Sequence, residues 1–371
     1  MDEAKSQNEP RYIDVPVLKK SRRVLVFLAD FFLTLMLTVT LFNLAVYPLA
    51  KQAVGYDARQ TTLKAAQEAR DGVLYDLSLL FPTTPQSKDP ASFGGNLVYT
   101  CDEYIHYLVA PGHGEQYEVF RHYYVDLCGS VADYLALYKE LDKNYSFFDI
   151  GVDTVTLKGE YMALIAPKYN PDDTISAKGE EVYETIQNKI FAQGYHRLLS
   201  NAYETNLSSG GVSYKTEQDK VAGILNGNLL LVSTCVLLSY FISWLPFFMI
   251  IPSIKKSRKT VGMLALKVCR VKKADFDAPS LPITYLQAGY ALLAGAGFLM
   301  FVPWGSVAFN ELFALPILFI VSVISLVFAL ASLAMILVDV YNRSLSDFFS
   351  QCYCIGEEDY DELARKKVGG K

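Results

Sequence analysis

Four long stretches without a single charged residue dominate this chain of 371 residues. They contain 20, 34, 33 and 27 residues and run over Phe31–Ala50, Val221–Ile254, Ala278–Asn310 and Leu312–Val338. About 20 consecutive apolar residues are enough for a helix to cross a bilayer, whereas buried helices of soluble proteins seldom run this far without a charge. The sequence therefore predicts an all-α polytopic membrane protein with a four-helix transmembrane bundle, formed by residues 23–50, 229–252, 283–305 and 313–339.

The first stretch follows a basic segment, as the apolar region of a signal peptide also does. The basic residues are Lys19, Lys20, Arg22 and Arg23. The stretch is longer than the roughly 7–15 apolar residues of a signal peptide, and three more spans follow it. We therefore interpret it as an uncleaved signal-anchor helix.

Lysine and arginine concentrate on one side of the predicted spans. Residues 1–23 carry six of them and residues 253–282 carry eight, whereas the turn between the third and fourth spans carries none. Basic loops remain on the cytoplasmic side of a membrane. We therefore expect a multi-pass protein of the cell membrane whose arm (1–22), loop (253–282) and tail (340–371) are cytoplasmic and whose residues 51–228 lie outside.

The predicted outside domain, residues 51–228, is acidic and large. It holds 24 acidic and 15 basic residues, and its length is sufficient for a core of its own. Helical periodicity predicts a mainly helical domain, with helices over 57–80, 115–143 and 177–205 and a loop over 80–96. Alternating β-branched residues over 150–166 predict a short strand or hairpin, so α+β is the alternative class.

The cysteines and histidines point to a disulfide and to no catalytic centre. Cys101 and Cys128 are the one cysteine pair of residues 51–228, and an extracytoplasmic setting permits a disulfide between them. The C-x-C of Cys352 and Cys354 has no companion histidine or cysteine pair, and the four histidines lack zinc spacing. Since nucleophile, P-loop and dinucleotide motifs are also missing, we expect no enzyme, no metal and no cofactor.

Charged residues within or beside the spans are the candidate functional residues, because a carboxylate at mid-membrane costs roughly 2.5–3.5 kcal/mol. Arg23 and Asp30 are seven residues apart, so a helix places them on one side but about 10 Å apart. That distance prevents a direct ion pair, so we expect Asp30 to find a partner on another helix or a wet cavity. Such residues serve either to lock helix register or to bind an ion or proton.

A second charged group follows the fourth span. Asp339, Arg343 and Asp347 are spaced by four residues each, so a continued helix would place them on one face. Arg343 would then bridge both carboxylates or turn towards Asp30. If the helix instead breaks near Asn342 and Ser344, the alignment is accidental.

Three segments carry these residues or flank them: 23–30 (RVLVFLAD), 259–271 (KTVGMLALKVCRV) and 343–349 (RSLSDFF). Together they resemble the RDD family of bacterial membrane proteins, named for one arginine and two aspartates. Arg23, Asp30 and Asp347 match those three residues, and Thr260 and Gly262 match the family's cytoplasmic T-x-G-K segment. The chain departs from the pattern in three respects. Met263 stands where lysine is usual, Ser346 stands where histidine is common, and a basic residue often found early in the third span is absent.

This resemblance implies a transport-related function, since some family members resemble sodium/proton antiporters. The expected chemistry is cation/proton exchange by intramembrane carboxylates, with Arg23, Asp30, Asp339, Arg343 and Asp347 as the candidate coupling residues. The alternative is a membrane-anchored envelope binding or sensory protein that acts through residues 51–228. The expected partners are the lipid bilayer, a second copy of the chain and an envelope protein or peptide, and we expect no nucleic acid.

Overall fold

The computed structural model describes residues 16–77, 79–80, 101–102, 105–106, 108–109, 130–152, 154–297, 299 and 316–369. The chain divides into two compact units, residues 1–56 with 227–371, and residues 57–226. The limits of the second unit lie close to the predicted limits, 51 and 228. The described residues are mainly helical with a few short strands, as the sequence predicts.

The α-helices of the described residues are, in chain order, α1 (Lys20–Leu41), α2 (Tyr47–Ala53), α3 (Tyr56–Asp76), α4 (Val131–Leu141), α5 (Gly159–Ile165), α6 (Ala177–Thr185), α7 (Ala192–Glu204), α8 (Tyr214–Trp244), α9 (Ile251–Ile254), α10 (Val261–Ala265), α11 (Leu281–Ala296), α12 (Pro316–Val338), α13 (Leu345–Phe349) and α14 (Glu357–Gly369). Turns of π-helix over Phe42–Val46, Ile186–Phe191 and Leu245–Ile250 join α1 to α2, α6 to α7 and α8 to α9.

Three antiparallel strand pairs accompany the helices in the described part of the chain. They are β1 (Phe148–Ile150) with β2 (Val155–Leu157), β3 (Ser208–Ser209) with β4 (Val212–Ser213), and β5 (Val268–Lys272) with β6 (Cys352–Gly356). In the last pair Arg270 lies opposite Cys354. This pairing joins the segment after α10 to the segment after α13.

Two helical stretches are long and apolar enough to cross a membrane, Lys20–Ala53 and Tyr214–Ile254. They contain the first two predicted spans. The shorter helices α11 and α12 begin at Leu281 and Pro316, and the last residues of the predicted third span lie outside the described residues. Pro246 lies in the π-helical turn between α8 and α9, and such turns accommodate a proline within a helix.

Small residues allow the apolar helices of the first unit to approach closely. A Cβ on Gly297 would come within 2.6 Å of the backbone nitrogen of Leu326 in α12. A Cβ on Gly295 would overlap the hydroxyl of Tyr240 in α8, which donates to the carbonyl of Leu292 at 3.0 Å. Ala291 and Gly295, small residues four positions apart in α11, therefore lie at a helix contact.

The second unit has a hydrophobic core of its own, which includes Tyr138, Ile186 and Leu198. Helices α4, α6 and α7 confirm the predicted helices where the structure describes them, although residues 115–129 lie outside the described part. The predicted strand or hairpin over 150–166 is wrong for residues 159–165, which form α5. The hairpin β1–β2 ends earlier, and the strong helix formers Glu160, Met162 and Leu164 follow it.

The predicted disulfide stays a prediction. Cys101 is buried and is bonded to no cysteine of the described residues. Cys128 lies outside those residues.

Candidate functional site

Asp347 is a fully buried carboxylate that two arginines approach. Arg23 of α1 donates to its Oδ2 atom, and Nε of Arg270, in β5, lies 3.0 Å from its Oδ1 atom. The hydroxyl of Ser344 donates to Oδ2 at 2.7 Å, and the Ser344 backbone N–H donates to the same atom at 3.2 Å. The Asp347 side chain thus connects α13 with α1 and β5 through these contacts.

Local sequence explains how α13 presents this carboxylate. Ser344 is the N-cap of α13, and Asp347, three residues later, completes a capping box. The short helix is therefore stabilised by the carboxylate that binds the arginines. Arg270 was not among the residues that sequence analysis selected, because its contact with Asp347 depends on the pairing of β5 with β6.

The charge of Asp347 is fixed by its surroundings. Burial alone would raise the pKa of this carboxyl group, but the positive charges of Arg23 and Arg270, together with the Ser344 hydrogen bonds, outweigh burial and hold the pKa at about 2. Asp347 is therefore ionised at neutral pH. This arrangement fits the structural role, in which the pair locks helix register.

Asp30 has hydrogen-bond donors in place of an ion-pair partner. It is 5% exposed, its Oδ2 accepts from the hydroxyl of Thr260 at 2.5 Å, and its Oδ1 accepts from the Gly262 backbone N–H at 2.6 Å. Among the residues that the structure describes, Asp30 forms no ion pair. Its partners lie on α10, so the expectation of a partner on another helix is confirmed.

The Thr-x-Gly segment that resembles the RDD pattern is the binding element for Asp30. Thr260 is the N-cap of α10 and also accepts from the Met263 backbone N–H. A Cβ on Gly262 would lie 2.8 Å from both Oδ1 of Asp30 and the carbonyl oxygen of Val26. Only glycine can therefore bring its backbone N–H this close to the carboxylate without displacing α1.

Asp339 and Arg343 form a separate pair. Nη2 of Arg343 lies 2.8 Å from Oδ1 of Asp339, and its Nε donates to Oδ2 at 3.0 Å. Because α12 ends at Val338 and α13 begins at Leu345, no continuous helix aligns Arg343 with Asp347. The helix-break alternative is confirmed, and Arg343 neither bridges the two aspartates nor reaches Asp30.

A cavity of about 80 Å³ lies beside this network, within the first unit. Arg23, Asp30, Arg270 and Gln287 are among its polar lining residues, and its other walls are mostly aromatic and aliphatic. Asp30 is the one carboxylate among the described lining residues. Asp30 therefore borders a cavity in addition to its contacts with α10.

Comparison with known proteins leaves the chain without a matching relative. No family model matches it, and neither does any curated protein or solved structure. The interpretation of the site therefore rests on its geometry.

Proposed function

We propose that the chain is an RDD-like integral membrane protein of the cell membrane that exchanges a cation for a proton, with Asp30 as the exchanging group. The proposal rests on one observation: Asp30 is buried, lines the cavity and forms no ion pair among the described residues. A carboxylate whose charge has no fixed counter-ion can accept either a proton or a cation. Asp347, with two arginines beside it, cannot do so without breaking a buried pair.

Membrane insertion is supported by the outward faces of the long helices. Large apolar side chains of α1 and α8 are exposed, among them Phe32, Met36 and Leu230 at 57%, 68% and 60%. Exposed apolar surface of this extent favours contact with lipid. The positive charges of the loop 253–282 support a cytoplasmic position for that loop and for both termini.

A test of this topology uses single cysteines at two partly exposed positions. We expect a cysteine at Ser257 to resist an impermeant thiol reagent in intact cells and a cysteine at Ser209 to react. The reverse labelling pattern would refute the topology.

The exchange itself is tested in liposomes that contain the purified protein and a luminal pH dye. We expect sodium, potassium or lithium added outside to change the luminal pH, and Asp30→Asn to abolish this response. Asp339→Asn is the matched control, because it removes a carboxylate that does not line the cavity. Normal flux in Asp30→Asn, or equal loss in both variants, would contradict the proposal.

A second function is supported by the compactness of residues 57–226. This unit has its own core, as a membrane-anchored envelope binding or sensory domain would require. Val152 is 93% exposed at the end of the β1–β2 hairpin, so a photo-crosslinking residue there reports on nearby partners in intact cells. A single adduct with an envelope protein or peptide, not formed from position 257, would favour this function, and a lack of adducts would count against it.

A further inference from the structure

The cavity beside Asp30 is polar at one end and apolar at the other. Along α1 its lining runs from Arg23 to Thr34, and along α11 from Thr284 to Gly295. Each run covers twelve residues, whose eleven steps span about 16 Å of helix. The cavity is therefore elongated along both helices.

Contacts identify the polar end. Arg270 contacts Asp347, the partner of Arg23, and its Nη1 donates to Oε1 of Gln287 at 2.7 Å. Arg23, Arg270 and Gln287 thus share one end of the cavity. At the other end Tyr240 of α8 packs with Leu35 of α1 and Leu292 of α11.

The charge at the polar end is positive. Three arginines line the cavity, Arg23, Arg258 and Arg270. They face two carboxylates, Asp30 in the lining and Asp347 behind Arg23 and Arg270. Both oxygen atoms of Asp30 and Oδ2 of Asp347 accept hydrogen bonds from protein donors. Oδ1 of Asp347 lies 3.0 Å from Nε of Arg270 as an ion pair, without a hydrogen bond among the described residues.

A buried donor at this end lacks an acceptor. Nε of Arg23 is buried and has no hydrogen-bond partner among the described residues, and the Arg23 side chain is 6% exposed. An unsatisfied buried N–H group of this kind costs about 1–3 kcal/mol. The site therefore favours a ligand that brings oxygen atoms with negative charge.

We propose that this cavity binds an anionic amphiphile, with a phosphate or carboxylate head group on Arg23, Arg258 and Arg270 and an alkyl chain along Phe27, Phe31 and Ala291 towards Tyr240. At roughly 10–15 Å³ for each water-sized group, the cavity of about 80 Å³ holds such a head group and the first carbons of its chain. The arginine end also belongs to the basic side of the predicted span, where anionic lipid head groups lie.

This binding does not depend on the proposed exchange, although it would assist it. The three arginines that line the same cavity as Asp30 oppose the entry of a cation. A bound anion would offset their charge and favour a cation or a proton at that carboxylate.

The test measures quenching of Trp244 fluorescence by a lysophosphatidic acid with a brominated chain, added to the full-length protein in uncharged detergent. Trp244 is next to the cavity, since its ring stacks on that of Phe248, a lining residue, at 6.5 Å. Trp304→Phe leaves Trp244 as the sole tryptophan. The uncharged control ligand is a monoacylglycerol with the same brominated chain.

Arg258→Gln is the test variant, because the described contacts of this side chain are hydrogen bonds to the carbonyl groups of Pro252 and Ser253. We expect it to raise the half-saturating concentration about tenfold, the effect of losing one charged hydrogen bond. Lys256→Gln, an exposed residue of the same loop, should change it less than about twofold. Equal effects of the two variants would show a surface-charge effect and overturn the proposal.

The ligand controls separate the sources of the anion. Equal quenching by the monoacylglycerol would show that binding does not need an anionic head group, and would overturn that part of the proposal. Displacement of the amphiphile by inorganic phosphate, but not by chloride of equal ionic strength, would assign the cavity to free anions and overturn the amphiphile. Quenching that persists in a protein without cation/proton exchange would support this site while the proposed function fails.

Discussion

Gly262→Ala tests whether the docking of α10 on Asp30 holds the first unit together. The new Cβ would lie 2.8 Å from the carbonyl oxygen of Val26 and 2.8 Å from Oδ1 of Asp30. The first of these atoms belongs to the backbone of α1 and cannot turn aside. Either α10 or α1 must therefore shift, and the hydrogen bond from Gly262 to Asp30 must lengthen from 2.6 Å.

Three effects determine how much Gly262→Ala changes the free energy of unfolding. Overpacking costs about 1–3 kcal/mol, and weakening a hydrogen bond to a carboxylate costs up to about 1.5–3 kcal/mol. The better helix propensity of alanine offsets about 1 kcal/mol. The expected net loss in the free energy of unfolding is therefore roughly 1.5–5 kcal/mol.

The assay is unfolding of the purified protein in mixed micelles with increasing sodium dodecyl sulfate, followed by circular dichroism. Gly289→Ala is the matched control, since a Cβ at this position of α11 meets nothing within 4 Å. This control should be neutral or stabilising by up to about 1 kcal/mol. Equal stability of Gly262→Ala and the parent protein, or equal loss in both variants, would refute the reasoning.

Three further predictions concern the two aspartates. Asp347→Asn should lower the free energy of unfolding by about 3–5 kcal/mol, because it leaves Arg23 and Arg270 buried without their carboxylate. The control is Glu140→Gln, which changes an exposed pair with Arg197 and should leave the unfolding curve unchanged. The pKa of Asp347 is about 2, against an ordinary 3.8. This lowered pKa contributes about 2 kcal/mol of stability, which is present above pH 4 and is lost as the pH falls towards 2. Unfolding measured at several pH values should show this loss in the parent protein and not in Asp347→Asn. Thr260→Val should lower the free energy of unfolding by about 1–3 kcal/mol, since it removes both an N-cap and a hydrogen bond to Asp30. Thr260→Ser keeps a hydroxyl group and should retain most of the parent protein's stability. Equal loss in the serine variant would show that the hydroxyl group is not responsible.

Residue patterns predicted several parts of the first unit correctly. Uncharged runs located the helical stretches Lys20–Ala53 and Tyr214–Ile254, because a long apolar helix needs no tertiary partner to be recognised. The rise of 1.5 Å per residue showed that Arg23 and Asp30 cannot pair within one helix. The structure agrees, since Arg23 pairs with Asp347 and Asp30 binds Thr260 and Gly262.

Other parts could not be predicted from spacing. The i, i+4 pattern of Asp339, Arg343 and Asp347 predicts a shared face only if the helix continues, and the chain instead ends α12 and caps a new helix at Ser344. Arg270 gave no signal of its own in the sequence. Its role follows from the pairing of β5 with β6, whose paired residues are 80 or more positions apart in the chain.

The sequence by itself determined which groups the site contains: two aspartates and an arginine in or beside apolar helices, and a Thr-x-Gly segment in a basic loop. Helix length, helix phase and capping are local, so nearby residues are sufficient to specify them. Only the tertiary structure decided which charges meet, because the partners are 230 and 324 positions apart in the chain. Packing gave Asp347 ion pairs with two arginines and gave Asp30 no ion pair among the described residues. We use this difference to propose a structural role for Asp347 and the exchange for Asp30.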